Sequence, residues 1–190
     1  MSAPALVGLD LAGDADAWKQ AGFAVDDDGA VRLGHVRMQT GVGEHGISDW
    51  RLGDGGGVEP ASHPNGAIGL DHLVVFTDDP ERTILAYSQL GLEVRRVRDL
   101  GDGKTQTFFR AGEVIVELVG PIDGDGERLW GLSPTVADLE ACVRLLGDRL
   151  GPIKDATQPG RRIATLRHAA CGLTVPIAFM SPEHVSRTGG

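Results

Sequence analysis

The stretch Gly69-Leu-Asp-His72-Leu-Val-Val-Phe-Thr-Asp-Asp79 decides the fold of this 190-residue chain. Residues 68–76 form an apolar run rich in β-branched side chains, which predicts a strand. Residues 79–81 (Asp-Pro-Glu) predict a helix start, because Asp caps a helix, Pro fits its first position and an acid suits its first turn. After Gly91, a natural helix stop, three more strands are predicted, over 92–97, 105–110 and 114–119. The order is strand, helix, strand, strand, strand.

The same order recurs about 60 residues further along the chain. A strand over 130–136 precedes a helix that Asp138 caps and Gly151 ends, and that helix has apolar residues spaced for one buried face. Short strands are then predicted over 152–154, 163–168 and 173–179. This internal repeat predicts an α+β fold made of two βαβββ modules, residues 67–120 and 129–181.

The front of the chain contains a weaker copy of the same pattern. Residues 1–56 offer strands over 6–11, 31–38 and 47–52, with a short helix over 14–20, and they are interpreted as a possible degenerate βαβββ module. Residues 57–66 are rich in Gly and Pro and cannot bury apolar area, which is typical of a linker.

Composition limits the classes of partner. Hydrophobic residues make up 41% and charged residues 24%, as in ordinary globular proteins, and the net charge of −9 argues against nucleic acid or an anionic membrane surface. No apolar run approaches the roughly 20 residues of a membrane span, and the N-terminus lacks the pattern of a signal peptide. Two cysteines are too few for a disulfide scaffold. The sequence therefore predicts a soluble, cytoplasmic protein whose partner is a small molecule.

Three short motifs resemble the vicinal oxygen chelate superfamily. They are residues 69–79, Tyr87-Ser-Gln-Leu-Gly-Leu92 and Val114-Ile-Val-Glu117-Leu-Val-Gly120. The superfamily includes glyoxalase I, extradiol dioxygenases, methylmalonyl-CoA epimerase and bleomycin-resistance proteins, and the resemblance covers roughly residues 67–180. It implies a glyoxalase-like fold, in which paired βαβββ modules form a curved mixed sheet around a cleft. In many members a divalent metal in that cleft is chelated by two vicinal oxygens of the substrate.

The resemblance points to His72 and Glu117 as metal ligands, because the first and last strands of a module each supply one ligand in the family. Strand alternation places His72 on a face with Val74 and Phe76, and Glu117 on a face with Ile115 and Val119. An imidazole with a carboxylate suits Zn, Fe, Mn or Ni. Without a metal, Glu117 could serve as a catalytic general base, and His72 could simply bond to the backbone or to Glu117.

The second repeat lacks such ligands. Its position equivalent to His72 falls on Gly131 or Leu132, and its position equivalent to Glu117 falls near Pro176 or Ile177. A firm metal site needs three or four protein ligands, whereas motif transfer finds two. His168, His45 or a residue of a second subunit could complete the set.

Candidate substrate contacts lie beside these two residues. Phe76 shares the face of His72, and Gln106, Phe108 and Arg110 share one face of their strand, although the opposite face, with Thr105, Thr107 and Phe109, could line the cleft instead. Several arginines could attract an anion such as a carboxylate or a CoA ester, or could merely keep the sheet surface soluble; they are Arg95, Arg96, Arg98, Arg161, Arg162 and Arg167.

Two functions follow from these observations. The first is a metal-dependent lyase, isomerase, dioxygenase or epimerase that acts on a small molecule. The second is a bleomycin-resistance-like protein that sequesters an apolar or aromatic compound without a metal, for which Trp130, Phe76 and Phe108 would supply contact area. A purely structural or dimerising module is a third possibility, because such repeats often pair across the subunits of a homodimer.

Overall fold

The N-terminal part of the chain forms a small four-stranded sheet with one short helix. The computed structural model describes residues 3–183, so Met1 and Ser2 of the predicted 1–56 unit lie outside the described residues. The elements of this part are β1 (Ala5–Leu11), α1 (Ala15–Gln20), β2 (Ala30–Leu33), β3 (Val36–Gln39) and β4 (Ile47–Gly53). The sheet order is β2-β3-β1-β4, with β1 parallel to β3 and antiparallel to β4.

Two further units, each with the order strand, helix, strand, strand, strand, form one eight-stranded sheet. The first contains β5 (Ala67–Thr77), α2 (Pro80–Gln89), β6 (Val94–Gly101), β7 (Lys104–Ala111) and β8 (Val114–Gly120). The second contains β9 (Glu127–Val136), α3 (Leu139–Leu146), β10 (Lys154–Asp155), β11 (Arg162–Thr165) and β12 (Ala178–Met180), with 3-10 turns at Gly147–Arg149 and His168–Cys171.

The order of this sheet is β10-β11-β12-β9-β5-β8-β7-β6. Within each unit, the first strand lies at the centre of the sheet, and the fourth, third and second strands follow it toward the edge. The predicted α+β fold, with paired βαβββ modules in a curved mixed sheet, is confirmed. The N-terminal sheet has the same element order along the chain but a different pairing, since its fourth strand lies on the other side of its first.

The two modules join where β5 runs antiparallel to β9. Leu73 pairs with Leu132, and the flanking pairs are His72 with Ser133 and Val74 with Gly131. A pseudo-two-fold axis passes through the Leu73–Leu132 pair and exchanges the two flanking pairs. It therefore relates His72 to Gly131 and Val74 to Ser133. The fourth strand of each module extends the sheet in parallel, β8 beside β5 and β12 beside β9.

Alternation of side chains separates the two faces of the sheet. Leu73 and Val75 are fully buried, and they belong to one apolar core that includes residues of the N-terminal sheet. Trp50 of β4 packs on Tyr87 of α2, with ring centroids 5.1 Å apart. The N-terminal sheet therefore packs against the same core as the two modules.

Both module helices start where the sequence predicts. Asp79 accepts a hydrogen bond from the Arg82 N–H at 3.0 Å, and Asp138 accepts one from the Ala141 N–H at 2.9 Å. Each cap satisfies an N–H group that a helix start would otherwise leave without a partner. No helix within residues 3–183 combines the length and the apolar character that crossing a bilayer requires.

The prediction of a strand over 173–179 is wrong for most of that range. Residues 173–177 lack a regular ladder, apart from a single bridge between Ile177 and Leu132, and β12 begins only at Ala178. Pro176 has no N–H to donate, which prevents a continuous ladder here. Leu173 and Val175 are nevertheless buried, so the apolar pattern that predicted a strand reflects burial without regular pairing.

The segment 57–66 contains no helix or strand, but two of its side chains fix it to the N-terminal unit. His63 is 8% exposed, its Nδ1 accepts a hydrogen bond from the Ala24 N–H at 3.0 Å, and its Nε2 lies 3.0 Å from the carbonyl oxygen of Arg32. Asn65 is buried and donates to the carbonyl oxygen of Ala21. The His63 ring is consequently neutral, with its proton on Nε2.

The stability of the chain should depend on the charge of His63. Burial lowers the pKa of His63 from its ordinary value of 6.5, against the opposing effect of the hydrogen bond to Arg32. The unfolded chain then binds the proton more readily, so the free energy of unfolding should fall as the pH drops below about 6.5. Urea unfolding at pH 7.5 and 5.5 measures this, and His63→Phe should reduce the difference between the two pH values. The exposed His45, changed to Ala, is the control, and an unchanged pH dependence in His63→Phe would contradict the assignment.

Candidate functional site

A cleft of about 1150 Å³ lies on the face of the eight-stranded sheet opposite the core. Both modules and the loop 155–159 line it. Five of the predicted site residues lie along it, namely His72, Gln106, Phe108, Arg110 and Glu117. The face of β7 with Gln106 is thus the one turned toward the cleft, whereas Thr107 is buried on the other side.

Phe76 lies next to the cleft rather than along it. Its ring stacks on Trp130, with centroids 4.7 Å apart and an interplanar angle of 24°, and the guanidinium of Arg128 lies 5.4 Å from the Phe76 centroid. Trp130 is 40% exposed and does line the cleft. Of these two stacked rings, Trp130 is therefore the one that a ligand can reach, and Phe76 supports it from behind.

A β-bulge places Asp71 beside His72. The pairing of β5 with β9 passes from Leu70 opposite Pro134 directly to His72 opposite Ser133, which leaves Asp71 as the extra residue. Strict alternation would put neighbouring side chains on opposite faces, and the bulge breaks it. Asp71 Oδ2 lies 2.5 Å from His72 Nδ1, although the ring N–H direction does not make a regular hydrogen bond with it. The carboxylate nevertheless lies in direct contact with Nδ1.

Arg161 holds Asp71 from the other side. Its Nη1 donates to both carboxylate oxygens, at 2.8 and 3.0 Å, and its remaining donors bond to the Ser181 carbonyl and to Thr135 Oγ1. Arg161 is only 4% exposed. Burial acts to raise the pKa of Asp71, but the contacts with His72 and Arg161 outweigh it and keep the pKa below the usual range. Asp71 is thus a fixed negative charge next to the imidazole.

The remaining polar side chains of the cleft floor contact one another. Gln158 Nε2 lies 3.2 Å from His72 Nε2, and Gln106 Nε2 donates to Glu117 Oε1 at 2.5 Å. Gln106 Oε1 is buried and has no hydrogen-bond partner among the described residues. Each of the two predicted metal ligands, His72 and Glu117, already contacts the side-chain amide of a glutamine.

The residues present do not fit a metal centre held by the protein alone. The pseudo-two-fold axis relates His72 to Gly131, as the sequence predicts, and relates Glu117 to Ala178, one residue beyond the predicted Ile177. Neither Gly131 nor Ala178 can bind a metal. Within residues 3–183, no group of three or more His, Cys, Asp or Glu side chains could hold an ion. His45 and His168, the other candidates, do not line the cleft.

Gly131 is also closed to a larger side chain. A Cβ atom added there would lie 2.9 Å from the carbonyl oxygen of Pro176, closer than real side chains approach. That oxygen is held in place, since it accepts a hydrogen bond from the Leu132 N–H at 2.9 Å. The second module therefore has no room for a ligand at the position of His72.

Arginines of the first module form one wall of the cleft. Arg95, Arg96 and Arg98 of β6 line it together with Arg110 of β7. Arg95 pairs with Glu93 at 3.3 Å, whereas the other three have no carboxylate within 4.0 Å among the described residues. We define Arg96, Arg98 and Arg110 as the arginine wall.

Sequence reasoning missed Asp71 and Gln158 as residues that contact His72. It offered Arg161 as an arginine that attracts an anion, whereas Arg161 is buried, bonds to Asp71 and does not line the cleft. One signal for Asp71 is present in the sequence: Leu70 and Leu73 are both buried, and a spacing of three within a strand indicates a bulge. Arg161 lies 90 residues from Asp71 along the chain, and no local pattern connects them.

Several solved structures are similar to this chain. Methylmalonyl-CoA epimerase from Mycobacterium tuberculosis is 22% identical over 62% of this chain and 89% of its own, with a TM-score of 0.49. A mutant of 4-hydroxymandelate synthase from Streptomyces coelicolor is 17% identical over 90% of this chain and 68% of its own, with a TM-score of 0.49. A mutant of glyoxalase I from Zea mays is 15% identical over 96% of this chain and 70% of its own, with a TM-score of 0.46.

Methylmalonyl-CoA epimerase and glyoxalase I are two of the enzymes that the sequence motifs resemble. No protein-family model matches the sequence, and no curated protein matches it either.

Loss of Arg161 should destabilise the fold strongly. Arg161→Met leaves the largely buried Asp71 carboxylate without its guanidinium partner, at a cost of about 3 kcal/mol in the free energy of unfolding. Asp71→Asn in the same chain should recover part of this loss, because it removes the buried charge. Arg162→Met is the matched control, since Arg162 and its partner Glu140 are both largely exposed and such pairs contribute at most about 1 kcal/mol. Urea unfolding measures all three, and equal losses for the two arginines would contradict the assigned network.

A third ligand should create metal binding. Ala178→Glu supplies a carboxylate at the position equivalent to Glu117, and Zn²⁺ should then bind at least about tenfold more tightly than to the unchanged chain, a difference of about 1.4 kcal/mol. Calorimetric titration with Zn²⁺ measures this. Thr157→Glu, which adds a carboxylate to the loop at the cleft, is the control. Tight stoichiometric Zn²⁺ binding by the unchanged chain would show that two donors suffice, against this interpretation.

Proposed function

We propose that this chain binds a small organic anion with a flat apolar part in the cleft, through side chains alone and without a metal held by the protein. The observation that carries the proposal is the arginine wall, in which three guanidinium groups face a cleft without a carboxylate partner among the described residues. Guanidinium groups bind carboxylates and phosphates through paired, charge-assisted hydrogen bonds.

The arginine wall contrasts with the charge of the whole chain. The net charge is −9, so most anions are repelled by the surface as a whole. Several surface arginines are paired with acids, as Arg37 is with Asp28 at 2.7 Å and Arg82 is with Asp78 at 2.6 Å, and the arginine wall differs from them in this respect. Four arginines and two acids, Glu117 and Asp155, line the cleft, so the formal charge of its lining is positive whereas that of the whole chain is negative.

The apolar part of the ligand has surfaces to contact. Phe108 lies on the same strand as Arg110, and Trp130 presents an exposed ring that Phe76 supports from behind by stacking. Ile163 and Met180 line the cleft from the second module. A cleft of this size accommodates a molecule of one or two rings.

Binding is favoured over metal-dependent catalysis because the donor set is incomplete on the second module. Gly131 and Ala178 occupy the two positions where the family pattern needs ligands. The role of Glu117 as a general base stays a prediction; its Oε1 accepts the hydrogen bond from Gln106.

Binding of 2-naphthoate, an anion with a flat ring system, tests the proposal. Saturable binding at a single site is expected by calorimetry, together with a change in the fluorescence of Trp130. Arg98→Gln or Arg110→Gln should weaken binding by about tenfold, the effect of losing one charge-assisted hydrogen bond. Trp130→Leu should weaken it by a smaller factor.

Arg144→Gln is the control for net charge, because Arg144 is an exposed residue of α3 away from the cleft. An equal loss of affinity in Arg144→Gln would indicate a nonspecific effect of charge and would contradict the assigned wall. Absence of saturable binding would contradict the proposed function.

A further inference from the structure

We infer that the floor of the cleft accepts a hydrogen bond from the ligand, with His72 Nε2 as the acceptor, so that the ligand is an anion with a hydroxyl or amine group on the side away from its acidic group. The inference rests on the proposed function, since it concerns the other end of the same ligand.

The surroundings of His72 fix which ring nitrogen carries the proton. Asp71 places a negative charge 2.5 Å from Nδ1, and Arg161 prevents that carboxylate from turning away. A negative charge at Nδ1 favours the tautomer with the proton on Nδ1. His72 is 2% exposed, so the ring has little freedom to rotate. Nε2 is consequently left as a hydrogen-bond acceptor directed at the cleft.

The contact with Gln158 shows which kind of group binds to His72 Nε2. Its amide nitrogen lies 3.2 Å from Nε2, in the geometry of an N–H donor. Gln158 belongs to the tip of the hairpin between β10 and β11, where Thr157 and Pro159 on either side are exposed. Exposed hairpin tips move more easily than the strands that carry them. The Gln158 side chain thus occupies the place of a ligand donor and can be displaced by one.

A second acceptor lies on the same floor. Gln106 Oε1 is buried without a partner among the described residues, and the Gln106 amide is oriented by its hydrogen bond to Glu117. A buried polar atom without a partner is costly, and a ligand donor would remove that cost. Acceptors on the floor and guanidinium donors on the wall therefore divide the cleft into two chemically different ends.

The test compares 2-naphthoate with 6-hydroxy-2-naphthoate, which adds one hydroxyl at the far end of the ring system. The hydroxy acid should bind about five- to tenfold more tightly to the unchanged chain, the effect of one additional hydrogen bond in a buried site. His72→Phe should abolish this preference, so that the two acids bind this variant with equal affinity. Gln158→Ala should strengthen binding of the hydroxy acid severalfold, because the competing donor is gone. Ser88→Ala, at an exposed residue of α2 outside the cleft lining, is the control and should change neither affinity.

The ¹⁵N spectrum of the His72 imidazole gives a readout that does not depend on ligand choice. In the neutral ring of the free protein, the proton should lie on Nδ1, which faces Asp71, and Nε2 should carry none. Asp71→Asn should move the proton to Nε2, because the asparagine amide can donate to Nδ1, and it should remove the preference for the hydroxy acid. Asp71 is thus a positioning residue, which sets the role of His72 without contacting the ligand.

Each outcome is decisive. Equal affinities for the two acids, or a protonated Nε2 in the free protein, would overturn this inference and leave the proposed function intact. Failure of both acids to bind would overturn the proposed function and this inference together. A preference for the hydroxy acid that persists in His72→Phe would transfer the acceptor role to another group and would also overturn it.

Discussion

The antiparallel pairing of β5 with β9 is the constraint on which the rest of the structure depends. It joins two modules, neither of which has a cleft of its own, into one continuous curved sheet. Because the pairing is centred on Leu73 and Leu132, every position of one module acquires a defined counterpart in the other. The floor of the cleft can therefore be compared residue by residue across the axis, and that comparison shows it to be asymmetric.

The asymmetry divides the chemistry between the modules. The first supplies the acceptors His72 and Glu117 and the arginine wall, whereas the second supplies apolar surface and the hairpin that carries Gln158. Arg161, also from the second module, reaches across to Asp71 and fixes the imidazole. One module thus holds most of the groups that can contact a polar ligand, and the other positions them.

Local signals in the sequence predicted the elements of the fold well. The caps at Asp79 and Asp138 and the alternation in β5 are properties of neighbouring residues, so they can be read without coordinates. The prediction of a strand over 173–179 was wrong because burial alone gives the same apolar pattern as a paired strand. Pro176, which has no N–H to donate, is the residue that tells the two cases apart. His72 and Glu117 followed from the resemblance of the motifs, and periodicity grouped Gln106 with Phe108 and Arg110 without deciding which face of β7 lines the cleft. The link from Asp71 to Arg161 depends on contacts that only the folded chain creates.

The contact between Gly131 and the Pro176 carbonyl has a consequence for how this protein can evolve. A side chain at position 131 requires the backbone of residue 176 to move, and that backbone is bonded to Leu132 within the central sheet. A side chain equivalent to His72 in the second module would therefore require changes in two segments at once, around residue 131 and around residue 176. A single substitution does not provide both.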